Sequence, residues 1–312
     1  MSGEQEEFKI RFWGVRGSIP SPGPETMRYG GNTPCVEMRV NGQRLIFDGG
    51  TGLRSLGRSL KGRTEITAHL FFSHYHWDHV QGFPFFEPAF SPSNRFHLYG
   101  AIALDGSTVE QRLALQMLHP NFPVPLQIMS SNLKFHDIWP GDNLNLGHGI
   151  AIATAPLNHP GESVGYRVSF AGYSAAYVTD TEHPMGGGFD ENVLCLARNV
   201  DVLIYDCTYT DEEYSDPRTP KLGWGHSTWQ EAIKIAQASG VKRLIIFHHD
   251  PSHDDHFMDR VSQLSQMAMP NSQVAYEGLE LDLVSVVPLH QADDRLGSHL
   301  IGNRPIGRWV SG

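Results

Sequence analysis

One short segment constrains this chain of 312 residues more than any other. The segment Ser73-His74-Tyr75-His76-Trp77-Asp78-His79 directly follows an apolar run. Imidazole and carboxylate are ligand types that suit zinc, manganese or iron. Side chains two residues apart in an extended segment point the same way, so His74 and His76 can share one ion. Asp78 and His79 come after the chain turns, and they can serve a second ion nearby.

The remaining ligands of two such ions must come from other parts of the chain. One ion takes three or four protein ligands, so two ions need more side chains than this segment supplies. Three candidates each follow a predicted strand: His159, Asp180 and His248. Their shared placement at strand ends predicts that they meet the first segment at one edge of the fold.

Hydrophobic patterning predicts an α/β layout with mixed sheets. Strands are predicted over 8–15, 35–40, 44–48, 64–72, 150–155, 164–170, 174–178, 202–205 and 243–247. Helices are predicted over 107–118 and 254–268, and another is opened by a capping box at Ser227–Gln230 and runs to Ser239. A hairpin around Glu277-Gly278 is predicted to close the fold over 273–287. The prediction is a single domain over 1–290 followed by a polar, Gly-rich tail over 291–312.

Composition excludes several classes of protein. The formal net charge of −10 argues against a long nucleic acid as the partner, because proteins that bind the nucleic-acid backbone need a basic face. No apolar run reaches the ~18–20 residues of a membrane span. The acidic start MSGEQEEF does not look like a signal peptide, so a cytoplasmic location is expected. The 3 cysteines lack C-x-x-C spacing, which argues against a disulfide framework or a cysteine-rich zinc site.

The order of these motifs resembles the metallo-β-lactamase superfamily. H-x-H-x-D-H is followed by a His, an Asp and a His at strand ends, and the likeness runs from Phe12 to about Glu277. Gly225-His226-Ser227-Thr228 and the later LIIFHHDP resemble the ribonuclease Z-like phosphodiesterases, and Phe47–Gly52 resembles their early Asp-x-Gly turn. The resemblance implies a four-layer αβ/βα sandwich of two mixed sheets, and a metal-dependent hydrolase.

The resemblance also assigns roles to individual residues. One ion would take His74, His76 and His159, and the other Asp78, His79 and His248, with Asp180 bridging. His248 fits better than its neighbour His249 because it directly ends an apolar strand, although the two remain one residue apart. Asp78 and His226 would be catalytic. Weaker candidates for supporting the ligands or contacting substrate are Asp48, Arg28 and Asn32.

The substrate implied by the resemblance is a small phosphodiester, with a cyclic nucleotide as the preferred candidate. Ribonuclease Z inserts a long Gly/Pro-rich arm between its His and Asp ligands, whereas here 164–178 fills that interval as a tight hairpin. The two divalent ions would be zinc, with manganese as the alternative metal. A hydroxide that bridges the two ions would attack phosphorus in line. A homodimer is implied by the resemblance alone.

Three other functional interpretations of the same motifs stay open. A ribonuclease Z-like RNA endonuclease would use the same site. A thioester or lactone hydrolase would too, because the metal motif does not encode the bond that is broken. A metal-binding regulator or a diiron oxygen-reducing protein is the alternative from another class, but His76 at the second motif position favours a hydrolytic site.

Overall fold

Strands form where β-branched and aromatic residues cluster between turn residues. The structure is a computed structural model that describes residues 6–284. Within this range the strands are β1 (Phe8–Gly14), β2 (Cys35–Val40), β3 (Gln43–Phe47), β4 (Thr67–Phe71), β5 (Arg95–Ala101), β6 (Asn132–Ile138), β7 (Asn143–Asn145), β8 (Ala151–Leu157), β9 (Ser163–Phe170), β10 (Tyr173–Val178), β11 (Val202–Asp206), β12 (Arg243–Phe247), β13 (Ser272–Val274) and β14 (Glu280–Asp282).

Helices lie between these strands, and five of the seven in the described range begin at a residue whose side chain caps the helix. They are α1 (Gly52–Ser59), α2 (Trp77–Val80), α3 (Val109–Leu115), α4 (Glu191–Ala197), α5 (Asp211–Ser215), α6 (Trp229–Ala238) and α7 (Asp255–Ala268). The predicted capping box of α6 is displaced by one residue. Thr228 caps this helix by accepting from the Glu231 N–H, because the Ser227 hydroxyl is bonded to the His183 ring. No helix within 6–284 is long and apolar enough to cross a membrane.

The strands form two mixed sheets of seven strands each. The first has the order β14-β1-β2-β3-β4-β5-β6 and the second β13-β12-β11-β10-β9-β8-β7. In each sheet one half is antiparallel and the other parallel: β3 to β6 run parallel in the first, and β10 to β13 in the second. Parallel strands bring their carboxyl ends to one edge, and that edge carries most of the candidate site.

The predicted hairpin over 273–287 is wrong. β13 pairs with β12 in the second sheet, whereas β14 pairs with β1 in the first, so the segment between them crosses from sheet to sheet. The reason is that the apolar side chains Ala275 and Leu279 are buried in the core between the sheets. Residues 285–287 of that prediction, and the tail predicted over 291–312, lie outside the described residues.

The predicted four-layer α/β sandwich is confirmed. Aromatic side chains of both sheets pack against one another in one central core, with their rings tilted or edge-on; they include Phe47, Phe71, Tyr166 and Tyr177. A second cluster joins the outer face of the second sheet to α4, α6 and α7, and a third joins the first sheet to α1 and α3. Burying apolar area contributes about 25 cal/mol per Å², and this central core fixes the two sheets against each other.

Candidate metal centre

The histidine-rich segment leaves the carboxyl end of β4 and turns into the short helix α2. His76 is the last extended residue before the helix, with φ −63° and ψ 152°. Asp78 and His79 lie inside α2 and are buried. The change from strand to helix therefore separates the segment into an extended pair, His74 and His76, and a helical pair.

Distant strand ends bring the other candidates to the same place. His159 follows β8, Asp180 follows β10 and His248 follows β12. Two groups of ligand atoms result, and within each group all the atoms lie within 4.8 Å of one another. The members are His74, His76 and His159 in the first group, and Asp78, His79, Asp180 and His248 in the second. A further group of the same compactness overlaps the second and consists of Asp180, Asp206, His226 and His248.

Asp180 lies between the two groups and faces both. Its Oδ1 lies 3.7 Å from His74 Nε2 and 3.8 Å from His159 Nε2. Its Oδ2 lies 3.2 Å from His79 Nε2 and 3.4 Å from His248 Nε2. One carboxylate can therefore offer one oxygen to each of two neighbouring ions.

Hydrogen bonds on the far side of three of the rings orient their imidazoles. His79 Nδ1 lies 2.7 Å from Asp48 Oδ2, and His159 Nδ1 lies 2.8 Å from the Gly225 carbonyl oxygen. His248 Nδ1 lies 2.9 Å from the Thr208 hydroxyl. Such contacts fix the ring orientation and direct the free nitrogen toward a metal.

Asp48 is the most heavily bonded of these supporting groups. Besides the His79 ring, its carboxylate accepts from the Ser73 N–H and hydroxyl and from the Tyr177 hydroxyl. It has a φ of 61°, and Asp180 and His248 are also left-handed, at 53° and 64°. Such conformations cost about 1–3 kcal/mol each and persist where the surroundings enforce them, often at functional sites.

The donor set fits divalent cations. His74 Nε2 is buried and has no hydrogen-bond partner among the described residues, and His79 Nε2 lies between two carboxylates, 3.1 Å from Asp78 Oδ2 and 3.2 Å from Asp180 Oδ2. Burial alone would lower the pKa of His79, but Asp180, Asp78 and Asp48 raise it well above its usual value. This means that the carboxylates draw positive charge into the cluster, and a divalent cation held by these residues would supply that charge in place of a proton.

His226 lies beside the ligands and is held by a buried carboxylate. Its Nδ1 is 2.8 Å from Asp206 Oδ2, and its ring stacks against the ring of His248 with centroids 5.0 Å apart. Burial lowers the pKa of His226, but Asp206 outweighs it and raises the pKa to about 9. Thr208 and Thr181 donate to the same carboxylate, which fixes its position.

An open cavity of about 430 Å³ gives access to these groups. Pockets of this size suit small ligands. Its walls are Ser18, Tyr75, His76, Trp77, Asp78, Asp180 and His226. The Ser18 N–H donates to Asp78 Oδ2 at 2.8 Å, so the loop after β1 also reaches the cluster.

Three of the weaker sequence candidates have their contacts elsewhere. Arg28 forms a two-pronged ion pair with Asp259, at 2.8 and 2.7 Å. Asn32 donates to Glu277, and His249 contacts the Ala275 carbonyl oxygen. Of the two adjacent histidines, His248 is therefore the one that the fold brings to the cluster.

Sequence reasoning missed Asp206. It ends the apolar strand β11 in the same way that Asp180 follows β10, so the strand-end criterion used for the other ligands would have found it. The parallel pairing of β10, β11 and β12 places their carboxyl ends side by side.

A family model described as "Beta-lactamase superfamily domain" matches residues 43–249. A curated relative, the ribonuclease Z of Picrophilus torridus, is 25% identical over 289 residues, which cover 80% of this chain and 87% of the relative.

Solved structures share the fold at low sequence identity. The metallo-β-lactamase fold protein YhfI from Bacillus subtilis superposes with a TM-score of 0.64 at 17% identity, covering 89% of this chain and 100% of that one. A diphosphatase from the PhnP family gives a TM-score of 0.62 at 19% identity, covering 88% and 97% of the two chains.

Proposed function

Because this chain belongs to the metallo-β-lactamase superfamily, we propose that it hydrolyses a small phosphodiester, with a cyclic nucleotide as the preferred substrate. It is a metal-dependent hydrolase whose curated relatives are ribonucleases Z. One observation carries the proposal: the two oxygens of Asp180 face two separate ligand groups, with His226 beside them at the cavity.

Two divalent ions are proposed to occupy the cluster, zinc in preference to manganese. His74, His76 and His159 would hold one ion, Asp78, His79 and His248 the other, and Asp180 both. When bound, such ions lower the pKa of water and draw charge from the phosphate oxygens. Five imidazoles and two carboxylates suit zinc, since imidazole is a preferred zinc ligand.

The side chains around the cluster are proposed to orient the reactants and to move protons. Asp78 can accept a hydrogen bond from the attacking water and aim it at phosphorus. His226 is fixed at Nδ1 by Asp206, which leaves its other ring nitrogen to donate a proton to the leaving oxygen. Asp206 holds that tautomer and orientation.

The chain between two of the ligands supports a small substrate. From Ser163 to Val178 the chain is the β9–β10 hairpin, in which Tyr173 pairs with Phe170 across a short turn. No arm for a long nucleic acid is inserted between His159 and Asp180, and the net charge is −10. A cytoplasmic location and a homodimer remain predictions.

The test is turnover by protein loaded with zinc or manganese. We expect hydrolysis of bis(p-nitrophenyl) phosphate and of cyclic nucleotides, with the variants Asp78→Ala and His226→Ala at least about a hundredfold slower. His226→Ala should lose most on cyclic nucleotides, because an alkoxide needs a proton more than p-nitrophenolate does. His256→Ala, at an exposed position on α7, is the control. Two bound metals without turnover of any phosphodiester would refute the proposal.

An RNA endonuclease is the second candidate, since the curated relatives carry the name ribonuclease Z. The same metal-loaded protein should be offered a tRNA precursor with a 3′ extension. Cleavage at a defined position, with kcat/KM above that for cyclic nucleotides, would favour this alternative. Failure to bind the precursor at moderate salt would exclude it.

A further inference from the structure

A second cavity, of about 410 Å³, lies next to the metal cavity. The two cavities share the wall residues Tyr75 and His76. The outer walls of the second cavity include Leu104, Arg112 and Glu162. A substituent on a phosphate bound at the metal cluster can extend into this space, because His76 belongs both to the cluster and to the wall.

Glu162 lines this cavity and carries a hydrogen-bond acceptor that is unused. One carboxylate oxygen, Oε2, accepts from the Leu104 N–H at 3.0 Å. The other, Oε1, is buried and has no hydrogen-bond partner among the described residues. Buried polar atoms without partners are rare in native proteins, and Glu162 is one of the residues that line the second cavity.

The backbone at this position is held in an unfavourable conformation. Glu162 has a φ of 69°, which non-glycine residues seldom adopt. The preceding Gly161 has a φ of 89°, and a Cβ there would lie 3.1 Å from His76 Nε2. The turn after His159 therefore packs closely against a histidine of the metal group and carries Glu162 to the wall of the second cavity. Strain of this kind collects at ligand sites.

The charges of the second cavity favour a ligand group that is uncharged and carries hydrogen-bond donors. The Arg112 guanidinium is already engaged, because it donates to Asp105 at 2.8 Å and to the Ser107 hydroxyl. Asp105, Arg112 and Glu162 together leave one negative charge, which disfavours a second phosphate. Carboxylates accept readily from sugar hydroxyls, as in dinucleotide-binding sites.

We propose that this cavity binds an uncharged, hydroxyl-bearing substituent of the phosphodiester, a sugar ring, and that Glu162 selects it by accepting a hydroxyl hydrogen bond. The inference rests on the proposed function and sharpens it. The metal cavity holds the phosphate, while the second cavity distinguishes a nucleoside ester from a simple aryl ester. Glu162 is a specificity-determining residue and takes no part in bond breaking.

Two chromogenic diesters test this assignment in the metal-loaded protein. The p-nitrophenyl ester of thymidine 5′-phosphate carries a sugar, and bis(p-nitrophenyl) phosphate does not. In Glu162→Gln one amide oxygen must serve both Leu104 and the ligand. We expect kcat/KM for the thymidine ester to fall about tenfold or more, with bis(p-nitrophenyl) phosphate changed by less than about twofold.

The control is Glu65→Gln, since Glu65 is also left-handed, with a φ of 57°, but is exposed and lines neither cavity. It should leave both substrates unchanged. Equal losses on both diesters in Glu162→Gln would assign Glu162 a merely structural role and overturn the proposal. No loss on either diester would overturn it as well.

A binding measurement separates this inference from the proposed function. If the wild type cleaves neither diester, the proposed phosphodiesterase activity fails, and calorimetry with thymidine 5′-monophosphate still tests the cavity. Affinity about tenfold weaker in Glu162→Gln than in Glu65→Gln supports the sugar site. Equal affinity in the two variants, or no binding by the wild type, overturns it.

Discussion

Histidines gather in two places in this protein, and the two groups differ in what surrounds their ring nitrogens. The metal group lies at strand ends around Asp180 and consists of His74, His76, His79, His159 and His248. The other group, the histidine ladder, lies across β4, β5 and β6 and consists of His69, His97 and His136.

The ladder rings stack in succession. His69 and His97 have ring centroids 5.0 Å apart, and His97 and His136 have theirs 5.2 Å apart. Neighbouring strands are spaced about 4.8 Å apart, so side chains in mid-strand stay parallel and the three rings do not surround a common point. Burial, together with the neighbouring His97 and His136, lowers the pKa of His69 to about 4.

The metal group shares the burial of the ladder, which lowers the pKa of His74, His76 and His159, but it differs in having carboxylates among its rings. Its rings converge because the chain turns inward after each strand, and carboxylates lie among them. Asp180, Asp78 and Asp48 outweigh burial and raise the pKa of His79. Histidine content is therefore no guide to a metal site, whereas strand-end position and adjacent carboxylates are.

The largest expected effect comes from removing the carboxylate shared by both ligand groups. Asp180→Ala should lower activity about a thousandfold or more, because metal stabilisation of charge is worth several kcal/mol. Metal content measured by mass spectrometry should fall below two ions per chain. His97→Ala in the ladder is the control and should keep both ions. Full metal content in Asp180→Ala would contradict the bridging assignment.

Second in size is the loss of a group that orients a ligand. Asp48→Asn should weaken metal affinity about 10- to 100-fold, since it removes the carboxylate behind His79. Chelator competition measures this change. The matched ladder variant is Tyr99→Phe, which removes the hydroxyl 3.2 Å from His69 Nδ1 and should leave metal affinity unchanged. Similar losses of metal affinity in both variants would contradict the assignment of the metal site to the metal group and not to the histidine ladder.

A smaller, pH-dependent effect is expected in the ladder. The pKa of His69 is about 4 in the folded chain and about 6.5 when unfolded, so the unfolded state binds more protons between these values. Stability should therefore fall as pH drops from about 6.5 to about 4, by about 1–2 kcal/mol from this residue after solvent screening.

His69→Phe tests that expectation by chemical denaturation at several pH values. The difference in unfolding free energy between variant and wild type should shift in favour of the variant as pH falls. Comparing two metal-loaded proteins cancels the contribution of the metal ligands. A difference that stays constant from pH 7 to pH 4.5 would show that His69 titrates normally.

The smallest effect is expected at the edge of the ladder. His97 Nδ1 and His136 Nε2 lie 3.0 Å apart, and both rings are partly exposed. His136→Ala should cost about 0.5–1.5 kcal/mol of unfolding free energy, the net worth of one such hydrogen bond. Urea unfolding would measure it, and a loss above about 3 kcal/mol would mean that the edge strand depends on this contact.

Local patterns predicted the strands well and the last connection poorly. Residues 35–40 and 243–247 were predicted as strands with the bounds that the structure shows. β5 and β6 were not predicted, although they extend the first sheet. Alternation identifies a strand, but it does not name the strand's partner, and so β13 and β14 were mistaken for a hairpin.

The sequence by itself determined the kind of site: a strand followed by H-x-H-x-D-H, with further His and Asp residues after later strands. That information is local, because ligand spacing and strand ends depend only on near neighbours. Tertiary structure alone decided that Asp180 faces both groups, that Asp206 holds His226 and that Arg28 pairs with Asp259 instead of approaching the cluster. These contacts depend on sheet register and on how the core packs the two sheets together, and short-range periodicity does not encode either.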